Sequence, residues 1–235
     1  MSIVTIDPVP RRPVERARAA ADSPEVAAAQ SHLSGADLLV DLDLVVRRTA
    51  GEARLRLRHA LRGSTVHALA TTGTPEVEVA RFDVSDWQAE LARACLVTVP
   101  AQAPRAPAPG LALPWDVLVG TGAALDLRPD LYAVLVARAA GSVTVDGRVV
   151  APTAAHAQVA RLHRSVVGRL RCTGTVPGRR RVGWVSWLLF ADGWRALAPY
   201  TAAAPDGPRA MVRLEPRAPG DLAHDVARWA TEVPR

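Results

Sequence analysis

The sequence predicts an α+β fold: an internally duplicated, quasi-two-fold antiparallel sheet flanked by helices. The first observation is a series of short segments in which apolar and polar residues alternate, a pattern typical of half-buried strands. The second is an apolar stripe at helical spacing after each run of strands. The third is an internal repeat of about 130 residues, which is too long for a solenoid and suits a duplicated domain.

The repeat relates residues in the two halves of the 235-residue chain. One set of matches pairs Val77, Val79, Asp86, Trp87, Leu91, Ala92 and Arg93 with Val212, Leu214, Asp221, Leu222, Val226, Ala227 and Arg228. A second set pairs Leu57, Leu61, Val66, Ala68, Leu69 and Ala70 with Val185, Leu189, Trp194, Ala196, Leu197 and Ala198. Chance matching between apolar strands is the alternative to duplication.

The N-terminal part divides into an arm and a strand-and-helix half. Residues 1–23 contain prolines and scattered charge without periodicity, which predicts a poorly ordered arm. Residues 24–97 form the N-terminal half, which begins with a short helix over 24–33. Strands are predicted over 40–46, 54–61 and 65–71, and from Val77 onward. Ser85, with Gln88 three positions later, predicts a capping box for the helix that follows.

A proline-rich linker over residues 98–114 separates this half from the C-terminal half, residues 115–235. The C-terminal half begins with apolar segments at 115–120 and 130–138, the second of which Pro129 could open as the first residue of a helix. The other predicted elements are a hairpin over 143–150, a helix over 153–161, strands over 166–175, 182–190, 194–200 and 211–214, and a closing helix. The hairpin is expected to turn at Asp146-Gly147. The apolar stripe of the closing helix consists of Leu222, Val226, Trp229 and Val233.

The formal net charge is +6, and all 29 basic side chains are arginine because the sequence has no lysine. Codon usage in a GC-rich genome explains this composition without any functional cause. The excess lies between Arg161 and Arg181, where no acidic residue occurs. A basic nucleic-acid-associated protein that uses this patch is therefore the alternative function. No recognition-helix or RNA-binding motif accompanies the charge, so this function is the less favoured one.

The sequence offers no set of residues with the spacing of a catalytic, metal or cofactor site. Two cysteines, Cys95 and Cys172, exclude a disulfide scaffold and a cysteine-only zinc site. The histidines lack the one-turn spacing of zinc ligands. The segment Gly120-Thr121-Gly122 lacks the third glycine of a dinucleotide loop. We therefore expect a protein that is not an enzyme and needs neither a metal nor a cofactor.

Four residues admit a chemical and a structural interpretation, and the structural one is favoured for each. Asp41 and Asp43 have the spacing of metal-binding carboxylates, but their alternation with leucines places them on the wet face of a strand. His59 lies on an apolar strand face, where a hydrogen-bonded structural histidine is expected. Cys172 lies in the basic stretch, which would lower the pKa of its thiol, but no histidine or acid partner is evident.

No apolar run is long enough to span a membrane. The N-terminus also lacks the basic and apolar regions of a signal peptide. We therefore expect a cytoplasmic, soluble protein.

The aromatic residues give the strongest indication of function. Trp184 and Trp187 lie on opposite faces of one predicted strand, which makes that strand apolar on both sides. The second face is either covered by helices of this chain or presents a binding surface. The residues predicted to bind a partner are Trp184, Trp115 and Tyr132 as aromatic anchors, with Arg179, Arg180 and Arg181 for orientation. The three arginines are alternatively a solvated hairpin turn.

Two stretches resemble the EspG family, the ESX (type VII) secretion-associated chaperones of actinobacteria. The first runs from Leu55-Arg-Leu-Arg-His-Ala-Leu-Arg-Gly63 to Trp87. The second runs from Val182-Gly-Trp-Val-Ser-Trp-Leu-Leu-Phe-Ala-Asp-Gly-Trp194 to Pro199 and the closing helix. The resemblance implies an EspG-like sheet flanked by helices. It also implies a chaperone that binds helical secretion substrates, of the PE/PPE or small helical-hairpin kind, in the cytosol for export. A homodimer is left open.

Overall fold

The computed structural model describes residues 15–48, 51–99, 102–178, 181–204 and 207–231. It is an α+β structure with a large antiparallel sheet flanked by helices, which confirms the predicted fold class. The helices are α1 (Pro24–Ser34), α2 (Val84–Ala94), α3 (Trp115–Leu127), α4 (Pro129–Ala139), α5 (Pro152–Ser165) and α6 (Asp221–Thr231). The strands are β1 (Glu15–Ala20), β2 (Leu38–Arg48), β3 (Gly51–Arg62), β4 (Thr65–Thr71), β5 (Glu76–Asp83), β6 (Leu111–Pro114), β7 (Thr144–Val145), β8 (Arg148–Val149), β9 (Gly168–Thr175), β10 (Arg181–Phe190), β11 (Gly193–Ala202) and β12 (Arg209–Arg217).

The described residues form two compact units. The first takes those within Met1–Ala101, Arg169–Ser186 and Ala218–Arg235, and the second takes those within Gln102–Gly168 and Trp187–Arg217. The sequence-based division placed everything after residue 114 in one half. In the structure, β9, the first part of β10 and α6 belong to the first unit instead. These elements join the first unit because strands far apart in the sequence pair with each other, and local sequence patterns do not predict such pairing.

Alternating burial defines the two faces of the sheet in the first unit, where the strand order is β1-β5-β4-β3-β2-β9-β10. Leu38, Val40 and Leu42 of β2 are buried, whereas Asp41 and Asp43 between them are half-buried. Helix α2 packs over the buried face with Trp87 and its apolar stripe. Helix α6 lies beside α2, and Leu222, Val226 and Trp229 of its predicted stripe are buried, whereas Val233 lies outside the described residues.

The two halves of the chain repeat the same succession of elements. Strands β2 to β5 precede α2, and strands β9 to β12 precede α6. All of the residues matched in the sequence lie in corresponding elements, such as Val77 in β5 and Val212 in β12, or Leu91 in α2 and Val226 in α6. A shared ancestral unit remains a prediction, which superposition of the two successions tests.

The first turn of α2 differs from the predicted capping box. The N-cap residue is Asp83, whose Oδ1 accepts a hydrogen bond from the backbone N–H of Ser85 at 2.9 Å. Ser85 itself lies inside the helix. Both residue types are good N-caps. Asp83 still pairs with Thr65 at the end of β5, so the helix begins directly after Asp83 and not after Ser85.

Replacing Asp83 with alanine is expected to lower the free energy of unfolding by about 1 kcal/mol, because a backbone donor at the start of α2 loses its acceptor. Asp83→Asn keeps that acceptor and should be nearly neutral. Ser85→Ala should also change little. Urea unfolding of the three variants measures the difference, and a larger cost for Ser85→Ala than for Asp83→Ala would contradict the assignment.

Two segments expected to lack regular structure contain strands. Of the predicted arm, residues 1–14 lie outside the described residues, but β1 pairs antiparallel with β5. Arg16 of β1 also forms an ion pair with Glu90 of α2. In the predicted linker, β6 pairs with β12. Composition alone does not reveal either strand, because both are short and depend on partners distant in the sequence.

Helices α3, α4 and α5 build the core of the second unit with its strands. Leu113, Val136, Val159, Phe190 and Leu214 belong to one buried cluster. The predicted hairpin is confirmed as β7 and β8, and its turn residues Asp146 and Gly147 have φ angles of 50° and 76°. Within the described part of the chain, every helix is too short or too polar to cross a membrane.

Candidate partner-binding surface

Helices α2 and α6 cover one face of the sheet of the first unit, and α1 packs on the other face at β4 and β5, where His32 stacks on His67 with ring centroids 4.0 Å apart. Gly174 of β9 and Gly183 of β10 face the Trp229 ring of α6. Because successive strand residues point to opposite faces, Thr173 and Trp184 point away from α6. We call the part of this opposite side that lies beyond α1 the open face. Its central residues are Asp41, Asp43, Arg56, Arg58, Leu69, Thr71, Arg169, Arg171, Thr173 and Trp184.

The open face carries a ladder of charges across β2 and β3. Arg58 Nε lies 2.6 Å from Asp41 Oδ1. Arg54 makes two hydrogen bonds of 2.7 Å to Asp43, which hold the pKa of that carboxyl below its ordinary value. The two aspartates are therefore occupied by arginines, as expected for the wet face of a strand.

Trp184 is the most exposed aromatic residue of the described chain, at 41% of its surface. Its strand neighbour β9 places Arg169 and Arg171 on the same face. Neither arginine has an ion-pair partner among the described residues. Tryptophan and arginine are among the residue types that contribute most of the binding energy at protein interfaces. An exposed tryptophan next to arginines that are not ion-paired therefore favours a binding surface.

A shallow depression of about 460 Å³ lies on this face. Leu69, Thr71, Arg171 and Thr173 are among the residues that line it, together with the charged residues of β2 and β3. The depression provides both an apolar floor and a charged rim. A partner could bury side chains there while it pairs with the free arginines.

The other residues predicted to bind a partner do not all reach a free surface. Arg179 and Arg180 lie outside the described residues, and Arg181 begins β10. Trp115 begins α3 and packs half-buried against the core of the second unit. Tyr132 is only 4% exposed, and its hydroxyl donates to the backbone carbonyl of His156 at 3.2 Å. As a core residue, Tyr132 differs from the expected anchor.

Sequence reasoning missed an exposed apolar patch on α3 and α4 of the second unit. It consists of Val119, Leu127, Leu131 and Val134, with exposures between 42% and 80%. The available signal was a second stripe on α4: Leu131 and Val134 follow a different face from Tyr132 and Val136. The aromatic rings drew attention to the buried stripe instead.

The buried titratable groups have structural roles. The Trp87 indole N–H donates to His59 Nδ1 at 2.8 Å, and burial lowers the pKa of this histidine to about 4. This confirms His59 as a hydrogen-bonded core residue. Burial raises the pKa of the Cys95 thiol to about 12 and also raises that of Cys172, so the basic stretch does not activate Cys172. Among the described residues, no three or more His, Cys, Asp or Glu side chains form a group suited to a metal ion.

No protein-family model and no curated protein matches the chain. Among solved structures, the chain is similar to the Mycobacterium tuberculosis type VII secretion system chaperone EspG5, determined in complex with the PE25–PPE41 dimer. The two chains share 14% sequence identity with a TM-score of 0.49, over 90% of this chain and 79% of EspG5. That complex is a property of EspG5, and the function proposed below rests on residues of the present chain.

Proposed function

We propose that this protein is a non-catalytic, cytoplasmic binding protein that holds a helical partner, in the manner of a type VII secretion chaperone. The observation that carries the proposal is the exposed Trp184 on the open face, on the strand next to Arg169 and Arg171, which form no ion pair with another described residue. The secretion role follows the sequence resemblance to the EspG family. Its expected partners are helical substrates that the protein keeps soluble for export.

The sheet itself supports a helical occupant. One face of the first unit already packs two amphipathic helices, α2 and α6. On the opposite side, a partner helix with an apolar stripe can cover the open face beside α1 by the same layer packing. Burying the exposed part of Trp184 would contribute about 2 kcal/mol at the usual value per unit of apolar area.

Electrostatics adds orientation. Arg169 and Arg171 are exposed on β9, and neither forms an ion pair with a carboxylate of the described chain, although the positive charge of Arg169 acts on Asp43. Acidic residues beside the partner's apolar stripe would pair with them and fix the direction of the helix. Such rim contacts influence the association rate and specificity more than the affinity.

Replacing Trp184 with alanine is expected to weaken partner binding about tenfold or more while lowering the melting temperature only slightly, since the side chain is half exposed. Co-expression with a helical PE–PPE-type pair supplies the partner, and biolayer interferometry measures the affinity. Tyr200→Ala is the matched control, because Tyr200 is a similarly exposed aromatic residue at 37%. Unchanged affinity in a folded Trp184→Ala protein would contradict the proposed binding site.

Nucleic-acid binding through the stretch from Arg161 to Arg181 is the second candidate, favoured by Arg161, Arg164, Arg169 and Arg171, which form no ion pair with another described residue. It requires an affinity that falls steeply with salt. Filter binding at two salt concentrations separates it from the chaperone function.

A further inference from the structure

The second unit contains a cavity of about 610 Å³ whose charge is entirely basic. It lies between the predicted linker, α4 and α5. Arg105, Arg161 and Arg164 line it, and the remaining lining side chains are apolar or neutral polar apart from His156. We call this cavity the basic pocket.

The three arginines of the basic pocket are free to bind an anion. No ion pair or hydrogen bond involves their side chains within the described chain. Asp130, which follows the lining residue Pro129 in the sequence, is already paired with Arg128. Three guanidinium groups around one cavity without a carboxylate repel one another, so an anionic ligand relieves that repulsion.

The wall that supplies Arg105 is fixed. The backbone N–H of Ala108 donates to Gln158 Oε1 of α5 at 2.8 Å. Arg195, only 3% exposed, donates to the carbonyls of Pro107 and Ala108 at 2.9 and 3.2 Å. The proline-rich segment is thus held in place by buried hydrogen bonds. Arg105 therefore extends from an ordered backbone, which reduces the entropy lost on binding.

Helix stability explains only part of this cluster. Arg164 lies in the last turn of α5, where a positive charge interacts favourably with the helix dipole. That effect does not account for Arg105, which comes from another segment and borders the same cavity. The convergence of separate segments indicates a ligand site.

We propose that the basic pocket binds an acidic segment of polypeptide, whose carboxylates pair with Arg105, Arg161 and Arg164. Arginine binds carboxylates in a bidentate manner, which gives such a site geometric selectivity. Pro104, Leu125 and Pro129 provide an apolar wall beside the guanidinium groups. Alternating acidic and apolar side chains use both parts of the pocket, whereas a small inorganic anion uses only the charges. The inference rests on the proposed function in one respect, namely that the carboxylates belong to a polypeptide.

The test uses the full chain and a synthetic peptide of four glutamates around a central leucine, with fluorescence anisotropy as the readout. Saturable binding is expected, and Arg161→Gln combined with Arg164→Gln should weaken it at least about tenfold, since charged hydrogen bonds are lost. Arg105→Gln alone should weaken it less and tests the other wall. Arg148→Gln, an exposed arginine outside the pocket, is the control and should have no effect.

Three results would overturn the inference: equal binding of the glutamine version of the peptide, unchanged affinity in the folded double variant, or competition by inorganic phosphate at the concentration of the peptide. Because no partner protein is needed, this outcome is independent of the Trp184 experiment. Trp184→Ala should retain peptide binding. Loss of partner binding without loss of peptide binding would separate the two sites.

Discussion

Replacing Gly183 with alanine is expected to lower the free energy of unfolding by about 3 kcal/mol or more, the upper end for overpacking a core. A Cβ atom at this position would overlap the Trp229 ring of α6. At Gly174 on the neighbouring strand, a Cβ would lie 2.7 Å from Trp229 Cε3, so the ring packs closely against both β9 and β10. Trp229 is 3% exposed, so the ring cannot relieve the overlap by turning into solvent without losing its burial.

A double-mutant cycle tests the physical cause. Trp229→Leu alone should cost a few kcal/mol because it leaves a cavity, but Gly183→Ala should add little in that background. Gly141→Ala is the control, because a Cβ there meets nothing within 4 Å. Urea unfolding gives the free energies. Additive costs would show that the clash with the indole is not what makes the glycine necessary.

This contact illustrates the limit of sequence reasoning about the fold. The stripe of α6 that contains Trp229 was predictable from its helical spacing, and so was the strand that contains Gly183. The packing of one on the other was not, because it depends on how a helix near residue 229 crosses two strands some 50 residues earlier. Local periodicity predicted the elements, whereas their contacts needed the tertiary structure.

The candidate sites show the same limit. The alternation of β10 correctly placed Trp184 and Trp187 on opposite faces, and they are 41% and 0% exposed. Tyr132 is buried, and the sequence did not predict this because an aromatic residue on an amphipathic helix has the same pattern whether a core or a partner covers it. The sequence did not predict the basic pocket, for another reason. Its arginines come from α5 and from a segment whose prolines resemble a linker, and buried hydrogen bonds from Arg195 fix that segment.

Acidification from pH 6.5 to 4 is expected to destabilise the protein through His59 by up to about 3 kcal/mol. Burial away from water, assisted by the positive charge of Arg93 and opposed by Glu90, lowers the pKa of His59 to about 4. The unfolded chain binds a proton near the ordinary value of 6.5, so it holds more protons than the folded protein in this range. The His59 contribution is therefore fully present above pH 6.5 and is lost as the pH falls toward 4.

The variant His59→Gln isolates this contribution. Glutamine offers an oxygen to the Trp87 indole N–H, which otherwise donates to His59 Nδ1, but it does not titrate. His67 and His163 also have lowered pKa values from burial, and they destabilise both proteins equally on acidification. The free energy of unfolding, measured by urea at pH 7.5, 6 and 5, should fall more steeply in the wild type. Parallel pH profiles would contradict the lowered pKa of His59, because they would show that the folded protein binds the proton as readily as the unfolded chain.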